Sequence, residues 1–376
     1  MSAPLPLEGV GVVDITTNVA GPFAAMVLAD LGADVVKVEP RHRGDDSRRM
    51  APVRGDSSAF FAVLNRNKSS VCADLRDGVD RRMIDGLLDD ADVLVTNLRP
   101  SLQAAVALDP VSIARSHPGV VHAAVSAYGT DGEECDRPGY DAVLQARSGI
   151  MGVTGEPGGP AVRVGVSILD MGSGLWLALG VLAALRAREE SGVGGSVDTS
   201  LLEVGGTYLS YHLVAHQLAG TTEFRSGSEH PAFAPYGVFA AADGTMAIGI
   251  GSDEQFSRFC LAIGESPLVS DPRFSTNEQR VANRDVLRCA IESVLQRSST
   301  DHWQRVLGDA GIAADRVASV ADVLSDRQLE SNDAWLEVAV DDLGVRVPGL
   351  PLRFDRRRPP VRTSAPALPD AGGQGG

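Results

Sequence analysis

Between residues 9 and 129 short apolar runs alternate with helix-length stretches, and this alternation restricts the fold more than any other feature of the chain. GVGVVDI (9–15) reads as a strand, GPFAAMVLADLGA (21–33) as an amphipathic helix ended by Gly32, and DVVKVE (34–39) as a second strand. By the handedness rule those two strands lie parallel in one sheet. The pattern repeats through SVCADL (70–75), a helix from Arg81 to Asp90, DVLVTNL (92–98), a short helix after Asp109–Pro110, and GVVHAAVSAYG (119–129). The expectation is an α/β fold whose large domain is a Rossmann-like, doubly wound parallel sheet.

Such a sheet invites a nicotinamide or flavin cofactor, so its fingerprint matters. The first strand-to-helix turn, DITTNVAGPF, holds one glycine where G-x-G-x-x-G needs three, although Glu39 stands where a ribose-binding acid would. No G-x-x-x-x-G-K-[ST] occurs. A nucleotide-binding oxidoreductase is therefore the distant alternative.

The stretch Gly165–Gly195 joins a short apolar run, one acid (Asp170), a Gly/Ser turn and an apolar helix closed by Arg186 and Arg188. Read alone, Asp170 is either an ordinary N-cap or a carboxylate that unpaired N–H groups hold ionised and aimed. Gly172 and Gly174 would then clear space for a substrate, and the helix would be buried on most faces. Its longest apolar run, Leu175 to Leu185, is too short to span a bilayer.

At 376 residues two domains are expected. We assign 1–200 to the large domain, 201–224 to a linker helix, and 225–330 to a smaller α+β domain. The last holds a strand pair around Asp243–Gly244 and helices at 253–263, 277–296 and 300–309. Residues 331–376 return to the large domain with a strand pair (335–340, 345–354) and end in a mobile tail from Arg356. The formal charge of −15 argues against nucleic-acid or anionic-membrane partners. A small anion would need a local basic pocket, and the Arg-rich loop within 40–76 is either that or a solvated loop. Four scattered cysteines give no disulfide or zinc pattern and fit a reducing cytoplasm. MSAPLPLEGV does not read as a signal peptide. Of seven histidines only His212 and His216 are spaced i, i+4, which on an apolar helix reads as packing, so no metal site is assigned. Lysine occurs only at positions 37 and 68.

Several stretches together resemble the family III CoA-transferases, the group containing formyl-CoA transferase, carnitine-CoA transferase and the α-methylacyl-CoA racemases. They are AGPFAAMVLADLGADVVKVEPRHRGDDSR (20–48), NRNKSSVCADLR (65–76), ADVLVTNLRPS (91–101), RPGYDAVLQARSGIMGVTG (137–155), the Gly165–Gly195 stretch, APYGVF (234–239), DPRF (271–274) and VPGLPLRF (347–354). The resemblance implies that Asp170 is the nucleophile. It implies that CoA, as a substrate and not a tightly bound cofactor, lies along Val19, Ala20, Arg41 (or Arg43), Ala73, Arg76, Asn97, Leu98, Arg99, Gly139, Tyr140 and Asp141. A glycine loop matching GIGSDEQF (249–256), with Gly249 and Gly251, would cover the site. The other substrate is a small carboxylic acid, and the chain would form an interlocked homodimer. The racemases carry His-Asp where this chain has Tyr140-Asp141, so racemisation is the alternative within the family. GSEHPAFAPYGVFAAADG (227–244) is most similar to the branch that moves CoA from succinyl-CoA to other dicarboxylic acids. Arg147, Arg163, Arg225 and His230 are candidates for binding a second carboxylate.

Overall fold

The computed structural model describes residues 4–55, 57–222 and 224–369. Strands β1 (Gly11–Ile15), β2 (Asp34–Pro40), β3 (Lys68–Ala73), β4 (Val93–Thr96), β5 (Val121–Ser126) and β6 (Ser196–Ser200) form one parallel sheet in the order β3-β2-β1-β4-β5-β6. The order reverses between β1 and β4, and such folds bind ligands in the crevice at the carboxyl ends of the strands flanking that point. Helices α1 (Ala20–Asp30), α2 (Gly78–Asp89), α3 (Asp141–Ser148), α4 (Ile168–Ser191) and α5 (Leu201–Tyr208) belong to the same compact unit, and α6 (Ser210–Ala219) runs out of it. That unit comprises the chain up to Ile150, Arg163–Tyr211, and the chain from Arg327.

Some expectations need correction. The helix after β1 is not amphipathic: every residue of α1 except Phe23 is buried, because α1 packs against both the sheet and α4 and has no face left for water. The Met171–Gly174 segment is no turn, since α4 begins at Ile168 and runs straight through it. Its glycines serve helix packing and not substrate access. A Cβ on Gly174 would lie 2.5 Å from the Ala20 carbonyl oxygen, and one on Gly172 would lie 2.2 Å from the Tyr208 hydroxyl. By length and composition α4 could cross a membrane, yet Leu169, Leu177, Ala178, Val181 and Leu185 are buried, and α4 packs on α1, β5 and β6. Its other side is uncovered in the single chain, where Met171, Leu175, Trp176 and Leu179 form an exposed apolar stripe, with Leu175 57% exposed. The stretch expected to be one linker helix is split at Leu209, whose N–H reaches the carbonyls of both Gly205 and Gly206.

Both lysines of the chain are buried beneath the switch point. Lys68 Nζ lies 2.8 Å from Asp14 Oδ2 and also donates to the Pro22 carbonyl (2.9 Å) and Asn65 Oδ1 (3.0 Å). Burial pulls the Lys68 pKa down to about 8, with Asp14 opposing it. Lys37 pairs with Asp45 (2.8 Å) and donates to the Thr16 carbonyl (2.8 Å). The loop leaving β1 is thus anchored from below. The neighbouring 40–76 region is also a built network and not a solvated loop. Glu39 accepts from Arg48 Nε and Nη2 (2.8 and 2.7 Å) and from Ser70 Oγ (2.6 Å), and Arg66 is paired with buried Asp30 (2.7 Å). Glu39 therefore has no oxygen to spare for a ribose.

The segment after Arg356, expected to be mobile, is docked as far as it is described. Arg362 donates to the carbonyls of Ala29 (2.9 Å), Gly32 (3.2 Å) and Ala33 (2.7 Å), where α1 ends and its carbonyls lack helical partners. Arg48 reaches the Pro366 carbonyl (3.0 Å). Residues from 370 on lie outside the described residues. The expected strand pair is present as β10 (Trp335–Val340) and β11 (Leu343–Pro348), antiparallel to each other.

The second unit consists of Met151–Val162 and His212–Asp326. The early excursion joins it because the Gly227 N–H donates to the Gly155 carbonyl (2.9 Å). Strands β7 (Tyr236–Ala240) and β8 (Thr245–Gly249) pair antiparallel as expected. A third strand, β9 (Ala313–Arg316), joins β8; the sequence does not announce it, because AADR lacks the β-branched and aromatic residues that mark strands. Helices α7 (Asp253–Ala262), α8 (Asn277–Ala282), α9 (Arg284–Leu295) and α10 (Thr300–Asp309) belong to the same unit, the stretch expected as one helix being broken at Asn283.

Candidate active site

The crevice at the switch point is a cleft of about 390 Å³. One wall is the β1–α1 loop. Thr17 N donates to Asn97 Oδ1 (3.1 Å) and Asn97 Nδ2 donates back to the Thr17 carbonyl (2.7 Å), so Asn97 ties the exits of β1 and β4 together. Asn18 adopts a left-handed backbone (φ 69°), and its N–H donates to Asp45 Oδ1 (3.1 Å). The chain then enters α1 with Val19 as N-cap and no capping side chain, which leaves first-turn N–H donors for an anion in the cleft.

Asp170 lies on the opposite wall, in the first turn of α4. The N–H groups expected to hold it ionised are spent elsewhere. Those of Leu169 and Asp170 itself donate to Asp141 Oδ2 (2.8 and 3.2 Å). Asp141, buried at the start of α3, also accepts from Gln145 Nε2 on Oδ1 (2.5 Å), and Gln145 Oε1 accepts from Val164 N (2.8 Å). This clamp from α3 caps α4 and fixes the strap leading into it. Among the described residues nothing donates to the Asp170 carboxylate. Burial, and then the Asp141 charge, push its pKa up to about 7. The carboxylate is poised near neutrality, poorly solvated and free of hydrogen bonds, a state suited to attack on an activated carbonyl.

Of the residues assigned from the sequence, the cleft gathers Val19, Ala20, Asn97, Leu98, Arg99, Gly139, Tyr140, Asp141 and Asp170. Arg41, Ala73 and Arg76 sit instead at the ends of β2 and β3. Arg41 is paired there with Asp80 at the start of α2, and its N–H donates to the Ala73 carbonyl (3.2 Å). Arg43 is exposed. Gly249 and Gly251 belong to the second unit, where Gly251 N donates to Gln255 Oε1 (2.8 Å). Asp141 is engaged in the helix clamp, with both of its oxygens used by the protein. Sequence reasoning missed Gln145 and Cys135 in this neighbourhood; an acid and a Gln at i, i+4 opening a helix was the available signal for the first.

Comparison with known proteins places the whole chain in one family. A family model described as CoA-transferase family III matches residues 7–372. An acetyl-CoA:oxalate CoA-transferase of Acetobacter aceti is 35% identical over 98% of this chain and 94% of its own length. A human succinyl-CoA:glutarate CoA-transferase is 33% identical over 93% of this chain and 81% of its own. The crystal structure of a CAIB/BAIF family protein from Brucella suis superimposes with a TM-score of 0.88 at 31% identity, covering 97% of both chains. With the family model, the relatives and the fold in agreement over nearly the whole chain, the chain belongs to CoA-transferase family III and is an acyl-CoA:carboxylate CoA-transferase.

Proposed function

We propose that CoA moves between acids through a covalent adduct on Asp170; the observation that carries this is the unbonded, desolvated carboxylate in the cleft. The Asp170 carboxylate attacks the thioester carbonyl, the C–S bond breaks, and CoA leaves as thiolate, giving a mixed anhydride. The thiolate then attacks the aspartyl carbonyl, releasing the donor acid and leaving CoA as a thioester on Asp170. The acceptor carboxylate takes the same steps in reverse. One thioester replaces another, so no ATP is consumed. The first-turn donors of α1 and Arg99 supply positive potential for the CoA phosphates. Racemisation is disfavoured, since Tyr140 stands at the position of the racemase histidine and its side chain is 69% exposed.

The acids are small dicarboxylates. Both relatives named above carry a dicarboxylic acid, oxalate or glutarate, in their names, and an anionic second carboxylate matches an arginine-bearing cleft in an otherwise acidic protein. Succinyl-CoA is expected to be a better donor than acetyl-CoA, with glutarate favoured over pentanoate by about tenfold or more in kcat/KM. Mass-spectrometric screening of donors against matched mono- and dicarboxylates reads this directly. Equal rates for the matched pairs remove the dicarboxylate assignment and leave the transferase.

The working form is a homodimer. The stripe of Met171, Leu175, Trp176 and Leu179 on α4, and Tyr211, Leu213, Val214 and Leu218 on α6, are apolar surfaces of the kind that a second chain covers. Sedimentation is expected to show a dimer down to the lowest measurable concentrations; a folded monomer there contradicts it.

A further inference from the structure

We propose that Arg163 is the subsite cation that receives the distal carboxylate of a dicarboxylate substrate whose reacting end lies at Asp170. The inference deepens the dicarboxylate reading above and rests on it. Three arginines line the cleft together with Asp170: Arg99, Arg137 and Arg163. Arg137 is already neutralised by Glu134 (2.5 Å) and lies over the Tyr128 ring (5.4 Å). Arg99 stands at the end of β4, where its Nη1 donates to the Asp136 carbonyl (3.4 Å).

Arg163, an exposed side chain, differs from Arg137 in pairing and from Arg99 in position, since it alone of the three precedes Asp170 on the strap that enters α4. Among the described residues no carboxylate lies within ion-pairing distance of it. Its guanidinium donates only to the carbonyls of Val164 (3.2 Å) and Gly165 (3.3 Å) on its own strap. In a chain of net charge −15, an arginine facing a cleft without an acid is a site kept open for an anion.

The strap also relates this charge to the nucleophile. Residues 163–170 lead directly into α4, and the strap is pinned at both ends by one device: Val164 N to Gln145, and Leu169 N and Asp170 N to Asp141, with Gln145 bonded to Asp141. Cation and nucleophile therefore sit on one short segment held by α3, so their separation is set by the fold and not by a mobile loop. A segment of that kind measures chain length, favouring a diacid that spans the gap over a monoacid that leaves the guanidinium unused.

The other candidates named from the sequence fit less well. Arg147 is paired with Glu134 (3.1 Å), and Arg225 and His230 lie in the second unit, His230 against Phe233 and Tyr236.

The test compares glutarate with pentanoate as acceptors at pH 8 in wild type, Arg163→Gln and Arg163→Lys. The ratio of kcat/KM for glutarate to that for pentanoate is expected to fall by about tenfold or more in Arg163→Gln, and Arg163→Lys to restore part of it. Intact-mass detection of the Asp170 adduct confirms that each variant is folded and competent. A ratio that stays at its wild-type value in Arg163→Gln overturns the assignment, as does an equal loss on both acids with a raised KM for the acyl-CoA, which would place Arg163 on CoA. A wild-type ratio near one is a different failure, because it removes the dicarboxylate reading itself and the Arg163 subsite with it.

Discussion

Replacing Asp170 by alanine is expected to lower kcat by about 10⁴-fold or more and to erase the covalent adduct, because the reaction has no second route once the acceptor of the acyl group is gone. Stopped-flow release of CoA and intact-mass analysis after mixing with succinyl-CoA read the two effects separately. The wild-type half-reaction carries its own signature. Only the ionised carboxylate attacks, and with a pKa of about 7 the ionised fraction, and hence the rate, rises about tenfold between pH 6 and pH 8. Asp141→Asn removes the like charge while keeping an oxygen to accept from Leu169 N, so the acid limb of that profile moves to lower pH. Normal transfer by Asp170→Ala would end the covalent mechanism.

The second large effect runs in the opposite direction. Asp170→Asn is expected to make the protein more stable, by about 2–4 kcal/mol at pH 8, since each unit of pKa displacement is worth about 1.4 kcal/mol. The Asp170 pKa rises from 3.8 to about 7 on folding. Below pH 3.8 both states hold the proton and the residue is neutral to stability. As pH rises through the interval up to 7 the unfolded chain ionises freely while the folded one resists, so stability is lost across that window and the loss is complete above it. Urea denaturation of wild type and Asp170→Asn at pH 4.5 and pH 8 measures the difference, which should be small at the lower pH and large at the higher. A pH-independent difference would mean that Asp170 is not held in the desolvated, proton-retaining state described. The expected pH-dependent gain makes the nucleophile an example of a residue that function keeps at the expense of the fold.

The α/β alternation was legible because strand and helix periods are local, and the parallel orientation of the strands follows from crossover connections through helices. Asp170 was legible as an acid against an apolar run. Its electrostatics were not, since the group that claims its N–H donors, Asp141, stands 29 residues earlier and meets it only in the folded unit. The glycines of α4 were misread for a related reason: what a glycine makes room for depends on the helix it faces, here Ala20 at the start of α1 and Tyr208 at the end of α5. The exposed stripe of α4 and the docked segment at Arg362 show the same limit from two sides. Apolarity says that a surface is to be covered and polarity that a segment can be solvated, while neither says by what, or whether it is.

The burial of Lys37 and Lys68 has a bearing on how such an enzyme survives its own substrates. Acyl thioesters and mixed anhydrides acylate amines without any catalyst, and the amine most open to this is one whose pKa has been drawn down, as that of Lys68 has, to about 8. Here that amine and its companion stand on strands of the sheet with side chains fully shielded from solvent, and every other cationic side chain available at neutral pH is a guanidinium or an imidazole. The folded surface offers acyl donors no lysine to consume. An amine-directed reagent should likewise leave both lysines untouched until the protein unfolds.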